Sequence, residues 1–596
     1  MRIRLFSGLA VLLAMFAVAS ASAQDTGDIT GTVRDNSGAV VQGASVKISG
    51  TAGGIERATT TNSDGDYLAA GLPGGTYIVI ISAKGFKTFK GNGVVLRVGQ
   101  KARVDAELAV GDIGTEIVVQ GEQLNQVETQ SSDLSGTVTE RQLSQLQLNG
   151  RNFTQLLALS PGATNQSGQD EPGQGLSTVS YSVNGGRTEY NNWEIDGGNN
   201  MDDGSNTTLL SYPSLDSIAE VRVMSSNYGA QYGRNSSGTV EVETKSGTNK
   251  FHGDVFEYVR NDLFNADNYF TGFSPYKKND FGFTVGGPVS IPHLYDGMNK
   301  TFFFYSPVSI PHLYDGMNKT FFFYSQEWRR DRVPGQNFNV AVPTCEERGL
   351  AAGAGGVGCT GTQAAFGDFS ALCQGATPPA TGPGLDCPIN PVNGNPFGNP
   401  SYSGSGPALN PVLVPIDPLS VPLLAFFPAP TSVTSPGYAN YTAGFPSPTN
   451  FREELFKIDQ NIGSKWHANV RYIHDSWDSV SPTPLWTDAT SYPTIQDAYS
   501  SPTTSLIIHV TTTVTPTLLN EFVAGYSANH IVMQNVGPSQ RPAGYTLGLF
   551  QNGFGGNRLP GVILNGGNQF AGGGIGLDTG YVPNGPVNSN PSYTYR

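Results

Sequence analysis

Four cysteines, Cys345, Cys359, Cys373 and Cys387, are the side chains of this sequence whose chemistry is easiest to state. All lie in one Gly- and Pro-rich stretch, residues 331–450, and an even count in an exported chain favours two disulfides, with three pairings open. Metal binding would want closer-spaced cysteine pairs. The seven histidines are scattered without ligand spacing, and no H-E-x-x-H occurs, so zinc hydrolysis finds no residues to use. Asp196, Asp202 and Asp203 could offer oxygens to calcium, but they lack the D-x-D-x-D-G arrangement that wraps the ion. No catalytic residue, cofactor-binding residue or metal ligand is assigned. What remains is backbone chemistry. Residues 115–120, TEIVVQ, are a short β-prone run that can lend main-chain hydrogen bonds to a partner's edge strand, or serve as an ordinary strand of a neighbouring domain.

The elements that must position these residues are strands. The first 23 residues carry Arg2 and Arg4, an apolar run over 9–19 and a small-residue end at Ala21-Ser22-Ala23, which reads as a signal peptide cut before Gln24. That run falls short of the roughly 20 residues that span a bilayer as a helix. No later stretch is long and apolar enough, so any membrane insertion must use a closed barrel. The chain of 596 residues is rich in glycine, with 75, and only 14% charged, which suits a barrel with long polar loops. A net charge of −14 without a basic cluster lacks the footprint of a nucleic-acid binder.

Over residues 28–108 seven β-prone runs follow one another closely: ITGTVRD, ASVKISG, ERATTT, GDYLAAGL, GTYIVIISAKGF, VVLRVGQ and KARVDAEL. Turn residues separate them at Asn36-Ser37-Gly38, Asp64-Gly65 and Pro73-Gly74-Gly75, and a β-sandwich is predicted with Tyr67, Leu72, Tyr77, Val79 and Ile81 in its core. Through G-x-V-x-D, D-G-x-Y and L-x-x-G-x-Y, residues 24–110 resemble the carboxypeptidase regulatory-like domain. That resemblance implies an Ig/transthyretin-like sandwich of the carbohydrate-binding-like fold. Aromatics such as Tyr67 and Tyr77 suit the core better than a sugar platform.

Residues 136–250 carry a denser set of motifs. They are Asn184, Gly185 and Arg187 of N-G-x-R, the turn Ile195-Asp196-Gly197, the strand I-x-E-V-x-V from Ile218, Tyr232 and Gly233 with Gly238, and T-K-S-G-T-N with Lys245 and Gly247. In this order they resemble the plug domain of TonB-dependent outer-membrane receptors, closest to the Oar-like branch. The resemblance implies an α+β plug, and it makes 111–135 a linker whose Glu116, Ile117, Val118 and Val119 are the candidate TonB box. The alternative, that these residues form an ordinary strand opening the plug or closing the sandwich, stays open. Before the motifs, Leu143, Leu146, Leu148, Phe153, Leu156, Leu157 and Leu159 fall near helical spacing in two pieces broken at Asn149-Gly150, which predicts two packing helices.

From 251 onward residues alternate as in a transmembrane antiparallel sheet: Phe281, Phe283 and Val285 against Gly282, Thr284 and Gly286; Trp466, Ala468, Val470 and Tyr472 against His467, Asn469 and Arg471; Phe522, Ala524 and Tyr526 against Glu521, Val523 and Gly525. Short turns at 463–465 and 515–517 contrast with the long segment 331–450, as periplasmic turns contrast with outer loops. The nineteen residues 288–306 recur unchanged at 307–325, and an odd insertion would reverse a strand's faces. About seven or eight strands can be found after Lys250, against about 22 in barrels that enclose a plug, so the chain is expected to hold only part of a barrel. Arg596 is also not the terminal aromatic that a complete barrel is expected to have.

The resemblance implies a receptor that transports a bulky ligand and is no enzyme. Its partners would be TonB, outer-membrane lipid and an extracellular ligand such as a carbohydrate or peptide, with no nucleic acid. The alternative is a surface adhesion or carbohydrate-binding protein without energy coupling.

Overall fold

A computed structural model describes residues 27–111, 116–120, 132–166, 179–266, 276–288, 320–369 and 413–536 apart from short gaps inside these spans, together with 562–564, 575–577 and 584–595. The signal-peptide residues, Cys373, Cys387, Asp203 and all but the ends of the repeated stretch lie outside them.

The first unit is a sandwich. Its strands are β1 (Gly27–Asp35), β2 (Ser45–Gly50), β3 (Glu56–Thr60), β4 (Asp66–Leu72), β5 (Gly75–Ser82), β6 (Thr88–Leu96), β7 (Lys101–Arg103), β8 (Ala106–Leu108) and β9 (Glu116–Gln120). One sheet orders β4-β1-β7, with β8 also on β1; the other orders β3-β2-β5-β6-β9. Period-two alternation builds it, for Val46 and Ile48 point inward while Ser45 and Lys47 face out. All five expected core residues are buried, and Tyr67 Oη donates to Val104 O at 2.7 Å. The Tyr67 and Tyr77 rings are both buried in the core, so neither offers a sugar platform, and that burial pushes their phenols up. β9 runs parallel to β6, with Phe89 opposite Ile117, and Val119 packs on the core. The sheet thus reaches past residue 110, and the candidate TonB box is its edge strand.

A middle unit follows, made of β10 (Leu134–Thr139), α1 (Glu140–Gln145), β11 (Ala163–Asn165), β12 (Tyr181–Val183), β13 (Asn192–Ile195), β14 (Gly198–Asn199), β15 (Ile218–Ser226) and β16 (Thr239–Thr244). Its sheet orders β10-β15-β16-β13-β14, with β13 and β16 parallel. Trp193, Ile195, Val221, Val223, Val240 and Val242 form the core, covered by Leu143, Phe153, Leu156 and Leu157. Two full helices do not form here. α1 stops after six residues, Asn149-Gly150 takes a tight turn with Gly150 at φ +73°, and Phe153–Leu159 is a 3-10 segment. Leu146 and Leu159 accordingly stay exposed: the spacing was near-helical, but the break leaves pieces too short to propagate.

The last unit is an eight-stranded antiparallel meander: β17 (His252–Asn261), β18 (Lys277–Pro288), β19 (Thr320–Val333), β20 (Ser447–Ile462), β21 (Trp466–Ser481), β22 (Gln496–Thr515), β23 (Leu518–Val536) and β24 (Asn584–Tyr595). Its outer face shows Phe281, Phe283, Val470, Tyr472, Leu506, Ile508, Phe522 and Tyr526, while Thr284, His467, Asn469, Arg471 and Glu521 turn inward and are buried. An apolar outside and a polar inside is the pattern of a membrane barrel. β19 takes its start from the second copy of the repeat, with Phe321 paired to Pro288, and Pro288 is the one described residue that the first copy adds to the register. Between β19 and β20, Arg348 donates to Pro343 O, Phe427 O and Pro428 O at 3.0, 2.8 and 2.7 Å, and Cys345 is bonded to Cys359. In that segment a buried guanidinium and a crosslink do what a sparse apolar core cannot.

Candidate functional site: the seam between the middle unit and the inner wall

The expected motif residues are mostly turn-makers that bring the middle unit against the wall. Asp196 and Gly197, at φ +46° and +76°, form the two-residue hairpin loop between β13 and β14, with Ile195 opposite Gly198. Asp-Gly favours such a turn because both positions need positive φ. Asn184 and Gly185 repeat the geometry at φ +51° and +77°, and Asn184 Nδ2 donates to Ser225 O at 2.8 Å. Gly238 is buried against Val183, Tyr232 Oη donates to Glu241 at 2.8 Å, and Lys245 pairs with Glu140 at 3.0 Å. Arg187 and Gly233 are exposed. Gly247 has a sharper requirement: a Cβ there would lie 2.2 Å from Phe322 O, so the chain leaving the middle unit rests on the backbone of β19.

The hairpin tip delivers a carboxylate to two cations of the wall. Asp196 lies 3.1 Å from Lys457 Nζ and 2.9 Å from Arg471 Nε, and Lys457 also meets Glu243 at 3.0 Å. Arg471 further donates to Ile195 O and Ser505 Oγ, each at 2.8 Å, and Thr244 N donates to Asp196 Oδ1 at 3.0 Å. Asp196, Lys457 and Arg471 are almost wholly buried, and Glu243 is partly so. Burial alone would push the Asp196 carboxyl up, but Lys457 and Arg471, helped by Thr244, hold it down at about 2. Two anions and two cations thus neutralise one another where water is excluded. Asp196 is therefore committed to Lys457 and Arg471 and is not free for calcium; Asp202 accepts from Gly204 N at 2.7 Å within its own loop.

A second contact centres on Arg151. Its Nη2 donates to Asp216 at 2.5 Å, its Nε stands 3.1 Å from Asp280 of β18 as an ion pair, and its guanidinium lies 4.0 Å over the Tyr258 ring. Arg329 extends the cluster to Asp280 and Glu327 on the wall. A third uses backbone: Tyr212 N donates to Asp475 Oδ2 at 2.7 Å while its ring meets Trp477 edge-on. Close by, the cavity lined by Asp202, Tyr499 and Asn529 measures about 20 Å³, room for one water.

Sequence reasoning missed Arg151, Lys457, Asp280 and Asp475 as site residues and saw Arg471 only as an inward position. For the wall residues Lys457, Asp280, Asp475 and Arg471 the signal was there, since an ionisable side chain on the lumenal face of a membrane strand needs a partner. Among the described residues no His, Cys, Asp or Glu cluster has the geometry of a metal site.

An amphipathic antiparallel sheet holding a separate α+β unit against its polar face defines an outer-membrane barrel protein. The model of the outer membrane beta barrel domain family matches residues 243–594, and the chain belongs to that family. The carboxypeptidase regulatory-like domain matches residues 28–109. The TonB-dependent transporter Oar of Myxococcus xanthus is 25% identical over 259 residues, which cover 40% of this chain and 23% of Oar. Among solved structures, the outer membrane transporter YddB of Escherichia coli aligns over 67% of this chain and 39% of its own, at TM-score 0.35 and 10% identity. A mutant of the ferric enterobactin receptor of Pseudomonas aeruginosa aligns over 68% and 42%, at TM-score 0.33 and 8% identity. The chain spans less than half the length of each.

Proposed function

We propose that this chain belongs to a TonB-dependent receptor of Oar type that carries a bulky ligand across the outer membrane, with the middle unit as its plug. It is exported by its signal peptide and performs no catalysis. The observation that carries the reading is the seam: a folded unit is pinned inside an amphipathic sheet by Asp196, Lys457 and Arg471. Such a unit blocks the lumen until a force parts those contacts. Coupling acts on β9. Its outer edge has no partner strand among the described residues and Val118 is exposed, so TonB can add a strand there. The ligand, a carbohydrate or a peptide, meets the outer loops.

The test places a photo-crosslinker at Val118 and asks for an adduct with TonB. Uptake should be lost on deleting residues 116–119. No adduct, together with uptake indifferent to the deletion, would return the protein to the reading of an uncoupled adhesive surface protein.

A further inference from the structure

The sandwich and the eight-stranded sheet meet at one end. Arg57 on β3 and Gly71 on β4 come from the sandwich; Asn461, His467 and Thr511 come from the wall, close to the short turn at 463–465. Gly71 has φ +69°, and a Cβ built on it would sit 2.5 Å from Thr511 Cγ2, so the backbone of β4 lies directly on the wall. Arg57 is 7% exposed, and its Nη1 donates at a long 3.4 Å both to the carbonyl of its neighbour Glu56 and, across the interface, to Asn461 Oδ1; His467 Nδ1 lies 2.9 Å from that Asn461 oxygen. No carboxylate among the described residues pairs with Arg57, and burial without a counter-charge lowers its pKa. A buried cation whose hydrogen bond across the interface is one stretched contact to an amide marks an interface that is shaped to fit yet cheap to part.

Short turns mark the end of a barrel that faces the periplasm, opposite the long segment between β19 and β20. We propose that the sandwich is a second closure of the lumen, seated in its periplasmic mouth beneath the plug, and that a ligand passes only after the sandwich has swung away. The sheet order β3-β2-β5-β6-β9 supplies the linkage. β9 is one edge of a sheet whose other edge, β3, carries Arg57, so a pull on β9 acts through a stiff, hydrogen-bonded plate on the contact to be opened. That consequence rests on the transporter reading; the seating itself does not.

The experiment uses the full chain in membranes with Thr511→Cys, labelled from the periplasmic side by a membrane-impermeant maleimide, and Lys465→Cys in the adjoining turn as the open control. Deleting residues 28–108 should speed labelling at position 511 by about tenfold or more while leaving position 465 unchanged. Two point changes guard against a misfolded deletion. Gly71→Leu, which drives a side chain into the contact, should speed labelling. Asn461→Asp, which gives Arg57 a counter-charge, should slow it below the parent rate. Labelling at 511 as fast as at 465 in the intact chain, or rates indifferent to Gly71→Leu and Asn461→Asp, would overturn the proposal. Neither rate needs TonB or a ligand, so failure of the transporter reading would show separately, as absent uptake in a protein whose position 511 is still shielded.

Discussion

Replacing Asp196 by Asn separates charge from shape in the seam. Asn-Gly accepts the same pair of positive φ angles as Asp-Gly, and Asn184-Gly185 already adopts them in this chain, so the turn between β13 and β14 should survive. What disappears is one carboxylate shared by two buried cations. Lys457 keeps Glu243 at 3.0 Å, whereas Arg471 Nε is left facing a neutral amide. Removing one partner of a buried ion pair costs about 3–5 kcal/mol, mainly because the remaining charge is stranded. That raises the population of undocked middle unit on the order of a hundred- to several-thousand-fold. Hydrogen exchange at the amides of β13 and β16 in the full chain reads this directly, since their exchange then follows undocking rather than deeper opening. Adding Arg471→Met to Asp196→Asn should recover part of the protection by removing the stranded cation. Exchange unchanged by Asp196→Asn would refute the view that these charges hold the seam. Acid offers a second readout. Asp196 is depressed from 3.8 to about 2, so its contribution is complete above pH 4 and is lost only as pH falls through about 2. Docking that loosened at pH 5 would need another group.

Gly247→Val places atoms against Phe322 O and should cost about 1–3 kcal/mol by overpacking, seen as earlier protease cleavage between β16 and β17. The isolated fragment 24–120 should melt higher than 24–110, because β9 and the packing of Val119 are worth about 1 kcal/mol, or roughly 4–8 °C in a domain this small. Reducing Cys345–Cys359, which closes a loop of sequence separation 14, should remove about 3 kcal/mol of local stability and make the segment near Arg348 protease-sensitive. Alkylation before reduction should find neither thiol, and free thiols at both positions would contradict the bond.

What the sequence determined by itself is local. Alternation at period two assigned the faces of β18, β21 and β23, because successive side chains of a strand must point oppositely. The same pattern placed Tyr67, Leu72, Tyr77, Val79 and Ile81 in the sandwich core. Asp196-Gly197 and Asn184-Gly185 announced turns, since few residues tolerate positive φ. Near-helical leucine spacing over 139–161 misled, because spacing says which residues share a face but not whether a helix is long enough to persist. Only the tertiary structure decided partners. Asp196 meets Lys457 across 261 residues of sequence, and no local pattern carries that information, since a period gives a side chain its face and not its neighbour. The bond of Cys345 to Cys359 and the start of β19 in the second copy of the repeat were settled in the same way, by which backbones lay within reach. So was β9: its apolar residues fit a sandwich edge or a free segment equally well until β6 supplied the adjacent row of hydrogen bonds.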